Sequence, residues 1–436
     1  MTQLSMTSRP VRLIAAGVAI TLAPAIAFAQ QAPTAPGVVT PAFDFSGVIF
    51  GSYSYRTDSA AKAGLGGQNP NQFGLDRAYL TFRMPAGSNG AIRITTDVFQ
   101  NTNTAQNAYY QGWAVRVKYA YLQYTGFKDA FGVGSSLLGR IGVLHTVVID
   151  HQEGFWPRYL QQTAIEKNGF FSSADGGIAA QLTLGSTPST PVGAATGSQR
   201  PNTWGEIYAT VTNGPGYASY EKDRFKDFAL RASFTPLANE NGLSPILKSF
   251  TVSPWVYKGF LGSNFAAGGA GQVGSGTNGA VTDGLTRDRY GIFAGLKERR
   301  LTAGAEFAQR KDESETGANT TASPRVVHDS TGRVIDGFVI ARPTEWFDAS
   351  QKSPFSIVAR WDHFTPNTDP TSANYVGTTP AYDFYLLGAS YDLTQRMTFT
   401  FDYQNQSATN FPVATGTNVR PTPQQTTMFL HFNVAF

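Results

Sequence analysis

The chain contains no cysteine, few charged residues and, beyond its first thirty positions, no long apolar run. The absence of cysteine excludes a disulfide framework, a thiolate zinc site and a cysteine nucleophile. Only 15% of the 436 residues are charged, whereas 13% are aromatic, and disordered chains have the opposite bias. No later segment approaches the ~20 continuous apolar residues that a transmembrane helix needs. The sequence therefore favours an ordered fold that is not a bundle of membrane-spanning helices.

The first 29 residues have the pattern of an export signal. Arg9 and Arg12 flank the start of an apolar run over 13–26, which is too short to span a bilayer, and Ala27-Phe28-Ala29 offers a cleavage site. We expect 1–29 to be a signal peptide, with a short N-terminal anchor helix as the alternative. Its cleavage removes two basic residues from a net charge of +4, so the charge does not predict a nucleic-acid partner.

Beyond a Pro- and Ala-rich lead-in at 30–42, apolar and polar residues alternate with a period of two. Near the C-terminus, Met428, Leu430 and Phe432 share one face, while His431 and Asn433 share the other. This period indicates β-strands with one apolar and one polar face. Sixteen such runs begin near Phe43, Phe73, Ala91, Gly112, Leu137, Gly177, Gly205, Asp227, Phe250, Asp288, Arg300, Arg333, Pro354, Tyr382, Met397 and Thr426.

The connections between these runs alternate in length. Tight turns such as Pro85–Gly90 are separated by long Gly-, Asn- and Thr-rich stretches such as Lys311–Gly332, with Gly185–Thr203 as one long exception. Short turns at one end and long loops at the other are typical of an outer-membrane barrel. Because an arginine on the lipid face costs ~2–4 kcal/mol at the midplane, we expect charged faces inside and apolar faces against lipid. A secreted β-sandwich or propeller is the rival interpretation.

Several segments also carry a family resemblance. They are FSGVIFGSYSYRTD from Phe45, FGLDRAYLTFRM from Phe73, AIRITTDVFQ from Ala91, AYLQYTG from Ala120, LGRIGVLHTVVI from Leu138, NGFFSSADGGIAAQLTLG from Asn168 and VARWDHFTPN from Val358. With these segments the chain resembles the phosphate-selective porin O and P family of Gram-negative outer membranes. The resemblance implies a sixteen-stranded, trimeric diffusion channel whose third extracellular loop folds into the lumen.

We therefore predict an all-β fold: one transmembrane antiparallel β-barrel of about sixteen strands over 43–436, with an inward-folded constriction loop. The terminal MFLHFNVAF looks like the aromatic signature that the barrel-assembly machinery reads in porins, with Phe432, Val434 and Phe436 as the signal. The predicted partners are outer-membrane lipid, this machinery, small solutes or anions and two further copies of the chain.

Charged side chains inside such a barrel set its selectivity. Basic residues dominate the early strands, and the planar fork of arginine suits carboxylates and phosphates, so we expect a lumen that attracts anions. The alternative is that each arginine pairs with a lumenal acid, as Arg93 with Asp97 or Arg360 with Asp362. The predicted pore-lining residues are Arg77, Arg83, Arg93, Asp97, Arg116, Lys118, Arg140, Glu206, Arg231, Lys297, Glu306, Arg310, Arg360 and Asp362.

The segment His145–Gly176 follows the fifth run and is the predicted constriction loop, with Phe155 and Trp156 available to pack it against the wall. Its predicted functional residues are Asp150, Glu153, Arg158, Glu166 and Lys167. The adjacent pairs Asp150-His151 and Asp362-His363 raise the alternative of an outer-membrane hydrolase. Neighbours in a strand point to opposite faces, and no catalytic or phosphate-binding motif is present, so we predict a porin without enzymatic activity, cofactor or metal. A non-conducting structural or adhesive barrel is a further alternative.

Overall fold

A computed structural model describes residues 44–100, 112–129, 131, 132, 134–185, 203–219, 221, 223–264, 277–279, 281–348, 350, 352–368, 381–409 and 425–436. Within these residues, sixteen antiparallel strands form one closed barrel. Each strand pairs with its neighbours in the sequence, and the first and last strands pair to close the barrel. The predicted barrel is confirmed, whereas the predicted signal peptide and lead-in lie outside the described residues.

The strands follow the predicted order along the whole barrel. They are β1 (Asp44–Arg56), β2 (Asn71–Ala86), β3 (Gly90–Gln100), β4 (Trp113–Gly126), β5 (Ser136–His145), β6 (Ala174–Gly185), β7 (Thr203–Thr212), β8 (Asp227–Phe234), β9 (Thr251–Gly262), β10 (Gly284–Lys297), β11 (Leu301–Thr316), β12 (Val326–Ala341), β13 (Phe355–Thr365), β14 (Ala381–Thr394), β15 (Met397–Thr409) and β16 (Gln425–Ala435).

The hairpin of β11 and β12 is longer than the alternation predicts. Lys311–Gly332 has no apolar face, yet β12 already begins at Val326. Cross-strand ion pairs stabilise this polar part of the ladder: Lys311 Nζ lies 2.7 Å from Asp329, and Arg325 Nε lies 2.7 Å from Glu315. The prediction of a long loop here was wrong because paired charges replace the missing apolar pattern.

Five short helices lie in the described parts of the connections. They are α1 (Ser59–Gly64), α2 (Ile149–Gln152), α3 (Ala164–Lys167), α4 (Pro245–Lys248) and α5 (Thr344–Phe347). The helices α4 and α5 lie in the connections 235–250 and 342–354. Both connections are long, although they lie at the end of the barrel where the sequence predicts short turns. Gly185–Thr203 is therefore not the sole exception to the predicted alternation of loop lengths. Among the described residues, no helix is long and apolar enough to cross a membrane.

Large apolar side chains cover the outside of the barrel wall, and charges line the inside. In β15, Phe401 is 56% exposed whereas the adjacent Asp402 is completely buried. The same arrangement holds in β13, where Trp361 is exposed between the buried Arg360 and Asp362. This is the predicted orientation, opposite to that of a water-soluble barrel with an apolar interior.

The inner wall also has an apolar patch that the alternation does not predict. It spans β9–β14 and is covered by the connection between β5 and β6. The expectation that aromatic faces meet lipid was wrong here, because this part of the wall receives an inserted loop instead of water. The buried wall residues of the patch include Trp255, Phe293, Val334, Phe338, Val358, Phe364, Phe384 and Leu386.

Candidate functional site: the lumen and its constriction loop

Residues 146–173, between β5 and β6, fold into the barrel and form the constriction loop. Phe155 packs on Phe293 with ring centroids 5.0 Å apart, and Trp156 packs on Phe338 at 5.2 Å. Ile165 at the start of α3 is completely buried. Burying each of these large side chains contributes about 1.5–3 kcal/mol, so the apolar face of the loop fixes it to the wall patch.

Three arginines of the barrel wall hold the backbone of the constriction loop. Arg231 donates to the carbonyl of Val147 at 2.6 Å, and Arg360 donates to the carbonyl of Gln162 at 2.6 Å. Arg310 donates to the carbonyl of Asn168 at 2.9 Å. Arg231 and Arg360 lie buried under the loop. These predicted pore-lining residues therefore position the constriction loop.

His151 connects α2 to the same wall through a buried network. Its Nδ1 lies 2.6 Å from Arg231 Nη1, and its Nε2 lies 2.8 Å from the hydroxyl of Ser253. Arg231 also forms an ion pair with Glu206. Because arginine can only donate, Nδ1 is the acceptor and Nε2 carries the proton. His151 in this tautomer cannot accept the proton of Ser253, so the pair does not have the geometry of an activated nucleophile.

The charges on His151 and its neighbour Asp150 are sensitive to burial. Burial, together with the positive charge of Arg231, lowers the pKa of His151 well below its usual value. Burial raises the pKa of Asp150 to about 6, while Arg93 acts in the opposite direction. Both shifts favour the neutral form of the docked side chain. The adjacent Asp150 and His151 therefore do not form a charged dyad.

At the far edge of the constriction loop, one arginine joins two carboxylates. Arg158 forms an ion pair with Glu153 and a bidentate pair with Glu166, at 2.5 and 2.8 Å. Its Nε donates to the hydroxyl of Tyr79 on β2 at 3.2 Å. The hydroxyl of Tyr159 lies 3.0 Å from that of Thr400 on β15. Phe293 on β10 and Tyr79 on β2, which contact the two ends of this segment, lie eight strands apart in the closed barrel. The loop thus spans the lumen.

Two cavities of about 350 Å³ each lie on either side of this edge. Phe50, Arg158 and Tyr159 line both, so the passage is narrow where these three side chains meet. The lower cavity, towards the C-terminus, is also lined by Gly47, Tyr79, Thr81, Arg93, Lys118, Tyr119, Glu153, Asn433 and Phe436. The upper cavity is also lined by Ser52, Asp76, Arg77, Gln161, Gln162, Gln404 and His431.

A basic cluster lies on the wall near the lower cavity. Arg83 on β2 and Arg93 on β3 are direct cross-strand partners. Arg93 lies 3.1 Å from His145, and the Arg140 side chain donates to Gln123 on β4 at 3.1 Å. In the same region, Asp44 lies 3.3 Å from Arg83, and Asp150 lies 3.8 Å from His145. Asp44, Asp150 and Glu153 lie among these cations. The cationic members of the cluster are Arg83, Arg93, Lys118 and Arg140.

Higher on the same wall, Asp97 is an anionic centre between two arginines. Arg116 donates two hydrogen bonds to it at 2.9 and 3.0 Å, and Arg77 lies 3.7 Å away. The suggested pairing of Arg93 with Asp97 was wrong, because residues from the neighbouring strands reach the carboxylate. The alternative pairing of Arg360 with Asp362 is present, at 2.6 and 2.7 Å.

The other predicted site residues lie away from the narrow passage. Lys297 is exposed at the end of β10. Glu306 is buried, accepts from the indole of Trp255 at 3.2 Å and faces Asp336 across the β11–β12 pair. Lys167 lies with its ammonium 3.4 Å from the ring centroid of Phe384, and burial lowers its pKa to about 7. Among the described residues, no three acidic or histidine side chains form a group that could hold a metal ion.

The C-terminal residues form part of the closing seam. Gly47 and Phe436 exchange two backbone hydrogen bonds, at 2.9 and 3.0 Å. The ring of Phe436 lies over Gly47 and the ring of Phe432 over Gly51, where a Cβ would clash with either ring. Glycine thus makes room on β1 for the two aromatic rings, and an assembly signal in this strand stays a prediction.

Sequence inspection missed the aromatic residues of the passage. Phe50 and Tyr79 alternate inward on β1 and β2, and their rings meet edge to face at 5.8 Å. Tyr119 follows Lys118 directly, so a strict alternation cannot place both inside. The sequence does contain a sign of this irregularity, because the outward apolar residues change from odd to even positions along β4. Val115 and Val117 face outward before Lys118, and Leu122 faces outward after it.

Comparison with known proteins yields structural similarity but no sequence family. No family model and no curated protein matches the chain. The barrel is similar to the OmpF of Salmonella typhi solved with daunomycin, with a TM-score of 0.53 and 11% identity over 90% of this chain and 97% of that one. It is also similar to the outer-membrane channel DcaP of Acinetobacter baumannii, with a TM-score of 0.54 and 10% identity over 90% and 97% of the two chains.

A third similar structure is the OprB of Pseudomonas putida, with a TM-score of 0.52 and 9% identity over 90% of this chain and 94% of that one. At such low identity these similarities establish the fold alone. The resemblance to phosphate-selective porins is not confirmed. The chain has the sixteen-stranded fold that these outer-membrane channels share.

Proposed function

We propose that the protein is an outer-membrane porin of bacteria, through which small hydrophilic solutes diffuse passively with a preference for anions. The apolar exterior of the barrel supports a position in lipid, since charged side chains on that face are costly. The divided lumen supports a channel, because two cavities flank the edge of the constriction loop. The protonated Nε2 of His151 argues against the hydrolase alternative.

The observation that carries the anion preference is the direct pairing of Arg83 with Arg93. Like charges opposite each other in neighbouring strands repel, and Asp44, 3.3 Å from Arg83, offsets part of this repulsion. Lys118 and Arg140 add two further cations in the same region. A cluster of one sign in a cleft with low-dielectric walls concentrates counter-ions, and the mobile anions become the main carriers of current.

The reversal potential in a KCl gradient across a planar bilayer tests the proposal. We expect the reversal potential of the wild type to have the sign of a chloride-selective current. Arg93→Gln should shift the reversal potential towards zero, because it removes one member of the cationic pair. Arg396→Gln, in the exposed turn between β14 and β15, is the matched control and should leave the potential unchanged. A cation-selective potential would refute the anion preference, and a lack of conductance would refute the channel.

The finer predictions belong to the same proposal. We propose a homotrimer, a cleaved signal peptide over 1–29 and recognition of the last strand by the barrel-assembly machinery, as the resemblance to porins implies. Phosphate is a candidate solute because the sequence resembles phosphate-selective porins. The acids of the constriction loop weigh against strict phosphate selectivity, because Glu153 and Glu166 neutralise Arg158 at the narrow passage.

A further inference from the structure

Lys118 has a buried side chain, and its ammonium has no anionic partner among the described residues. It is only 2% exposed, and its ammonium lies 4.1 Å from the ring centroid of Tyr79 and 5.4 Å from that of Tyr119. Among the described side chains, none forms a hydrogen bond or ion pair with this ammonium, although Glu153 lines the same cavity in its pair with Arg158. The ammonium therefore faces the cavity as a cation that no described carboxylate neutralises at ion-pair distance, and between low-dielectric walls such a cation attracts an anion.

A β-bulge places Lys118 in the lower cavity. Thr95 pairs with Tyr119 and Thr96 pairs with Val117, so Lys118 is the extra residue of β4. Lys118 and Tyr119 are therefore successive residues whose side chains both line the lower cavity. Bulges commonly redirect a side chain next to a functional site. The fold thus departs from regular pairing at the position that delivers the unpaired cation.

The surroundings of Lys118 indicate the class of anion. Five aromatic residues line the lower cavity, and Arg93 adds a second cation. A small, strongly hydrated anion would gain nothing from the rings, whereas a planar aromatic body would stack on them and lose its contact with water. The cavity of about 350 Å³ has room for a single-ring solute. The lining aromatic residues are Phe50, Tyr79, Tyr119, Tyr159 and Phe436.

We propose that the lower cavity is a binding site for aromatic carboxylates, with the carboxylate on Lys118 and Arg93 and the ring among the aromatic side chains. The site rests on the proposed channel function and gives it a substrate class. A solute that enters the lumen from the end with the long connections passes Arg158 and Tyr159 before it binds here. Its transport saturates with concentration, unlike that of a small neutral solute.

The test measures block of single-channel KCl current by benzoate, acetate and inorganic phosphate. Benzoate is expected to block at a concentration at least about tenfold below that of either other anion, because only benzoate brings a ring. Lys118→Gln should raise the blocking concentration of benzoate by at least about tenfold. Lys128→Gln removes the same charge from the exposed turn between β4 and β5 and should leave the block unchanged. Equal block by benzoate and acetate, or block of Lys118→Gln equal to that of wild type, would overturn the proposal.

A second measurement separates this site from the channel function. Thermal unfolding of the full-length protein in detergent should shift upward with benzoate in the wild type but not in Lys118→Gln. Without benzoate, Lys118→Gln should unfold at or above the wild-type temperature, since it removes an unpaired buried charge. An anion-selective channel whose unfolding does not respond to benzoate would refute the site and leave the porin standing. A benzoate-stabilised protein without conductance would refute the porin and keep the site.

Discussion

Inward-facing arginines have two different roles in this barrel. The alternation correctly places Arg231, Arg310 and Arg360 on the inner face, but sequence cannot show that loop carbonyls lie over them. Arg83 and Arg93, by contrast, are on the part of the wall near the lower cavity. The difference depends on where residues 146–173 dock, and docking is decided by apolar contacts between segments that are far apart in the chain. The sequence could therefore predict that these arginines face inward, but it could not predict which of them contact the water in the lumen.

The buried His151 makes docking of the constriction loop sensitive to acid. The docked side chain has a pKa well below that of a free histidine, about 6.5, because of burial and the neighbouring Arg231. Above this pH both docked and undocked loops hold a neutral His151. Below it only the undocked loop takes up a proton, so docking weakens by up to about 1.4 kcal/mol per pH unit.

Single-channel recordings between about pH 7.5 and pH 5 can measure this effect. Protonation of Asp150 has the opposite effect on docking: its pKa is raised to about 6 in the docked loop, so its protonation favours docking. The comparison is therefore made in an Asp150→Asn background. We expect conductance and its fluctuations to rise on acidification, and the rise to disappear when His151→Gln is added. An equal rise with and without His151 would contradict the assignment.

Strand positions could be predicted well, and local departures from regular pairing could not. Fourteen-residue strands such as β10 and β14 carry a clear alternation, whereas a bulge inserts a single residue. Asp76 on β2 and Lys118 on β4 are such insertions. Both line cavities of the passage, where a second consecutive inward side chain supplies a charge. A strict period of two places only one of two consecutive residues inside the barrel. It therefore cannot predict the inserted residues that line the passage.

We expect the constriction loop to be the element that limits the passage. Replacing Glu153–Lys167 with a short Gly-Ser linker removes Arg158 and Tyr159 from the boundary between the cavities. Single-channel conductance should rise several-fold, since current scales with the open cross-section at the narrowest depth. The same replacement of α1, which has no buried residue, is the control and should leave conductance near the wild-type value. Unchanged conductance in the first variant would show that another element limits the current.

The whole barrel places opposite chemistry on its two faces, which explains the composition of the chain. Aromatic residues on the outside alternate along each strand with polar and charged residues on the inside. The chain therefore has few charges in total and no long apolar run. Closure is what keeps these faces apart, because an open sheet would leave unpaired backbone groups at β1 and β16. The pairing of β1 with β16 therefore matters for the entire molecule, and Gly47 and Phe436 lie at its end.

Gly47→Val should weaken this closure. A Cβ at position 47 would lie 2.3 Å from the ring of Phe436, so the ring must leave its place over β1. Such overpacking typically costs about 1–3 kcal/mol, and it acts on the step that completes the barrel. The folded band in unheated electrophoresis should convert to the unfolded band at a lower temperature than in the wild type. Gly337→Val is the matched control, since a Cβ there meets only an ordinary contact at 3.7 Å. Equal conversion temperatures for the two variants would mean that the terminal phenyl ring contributes nothing specific to closure.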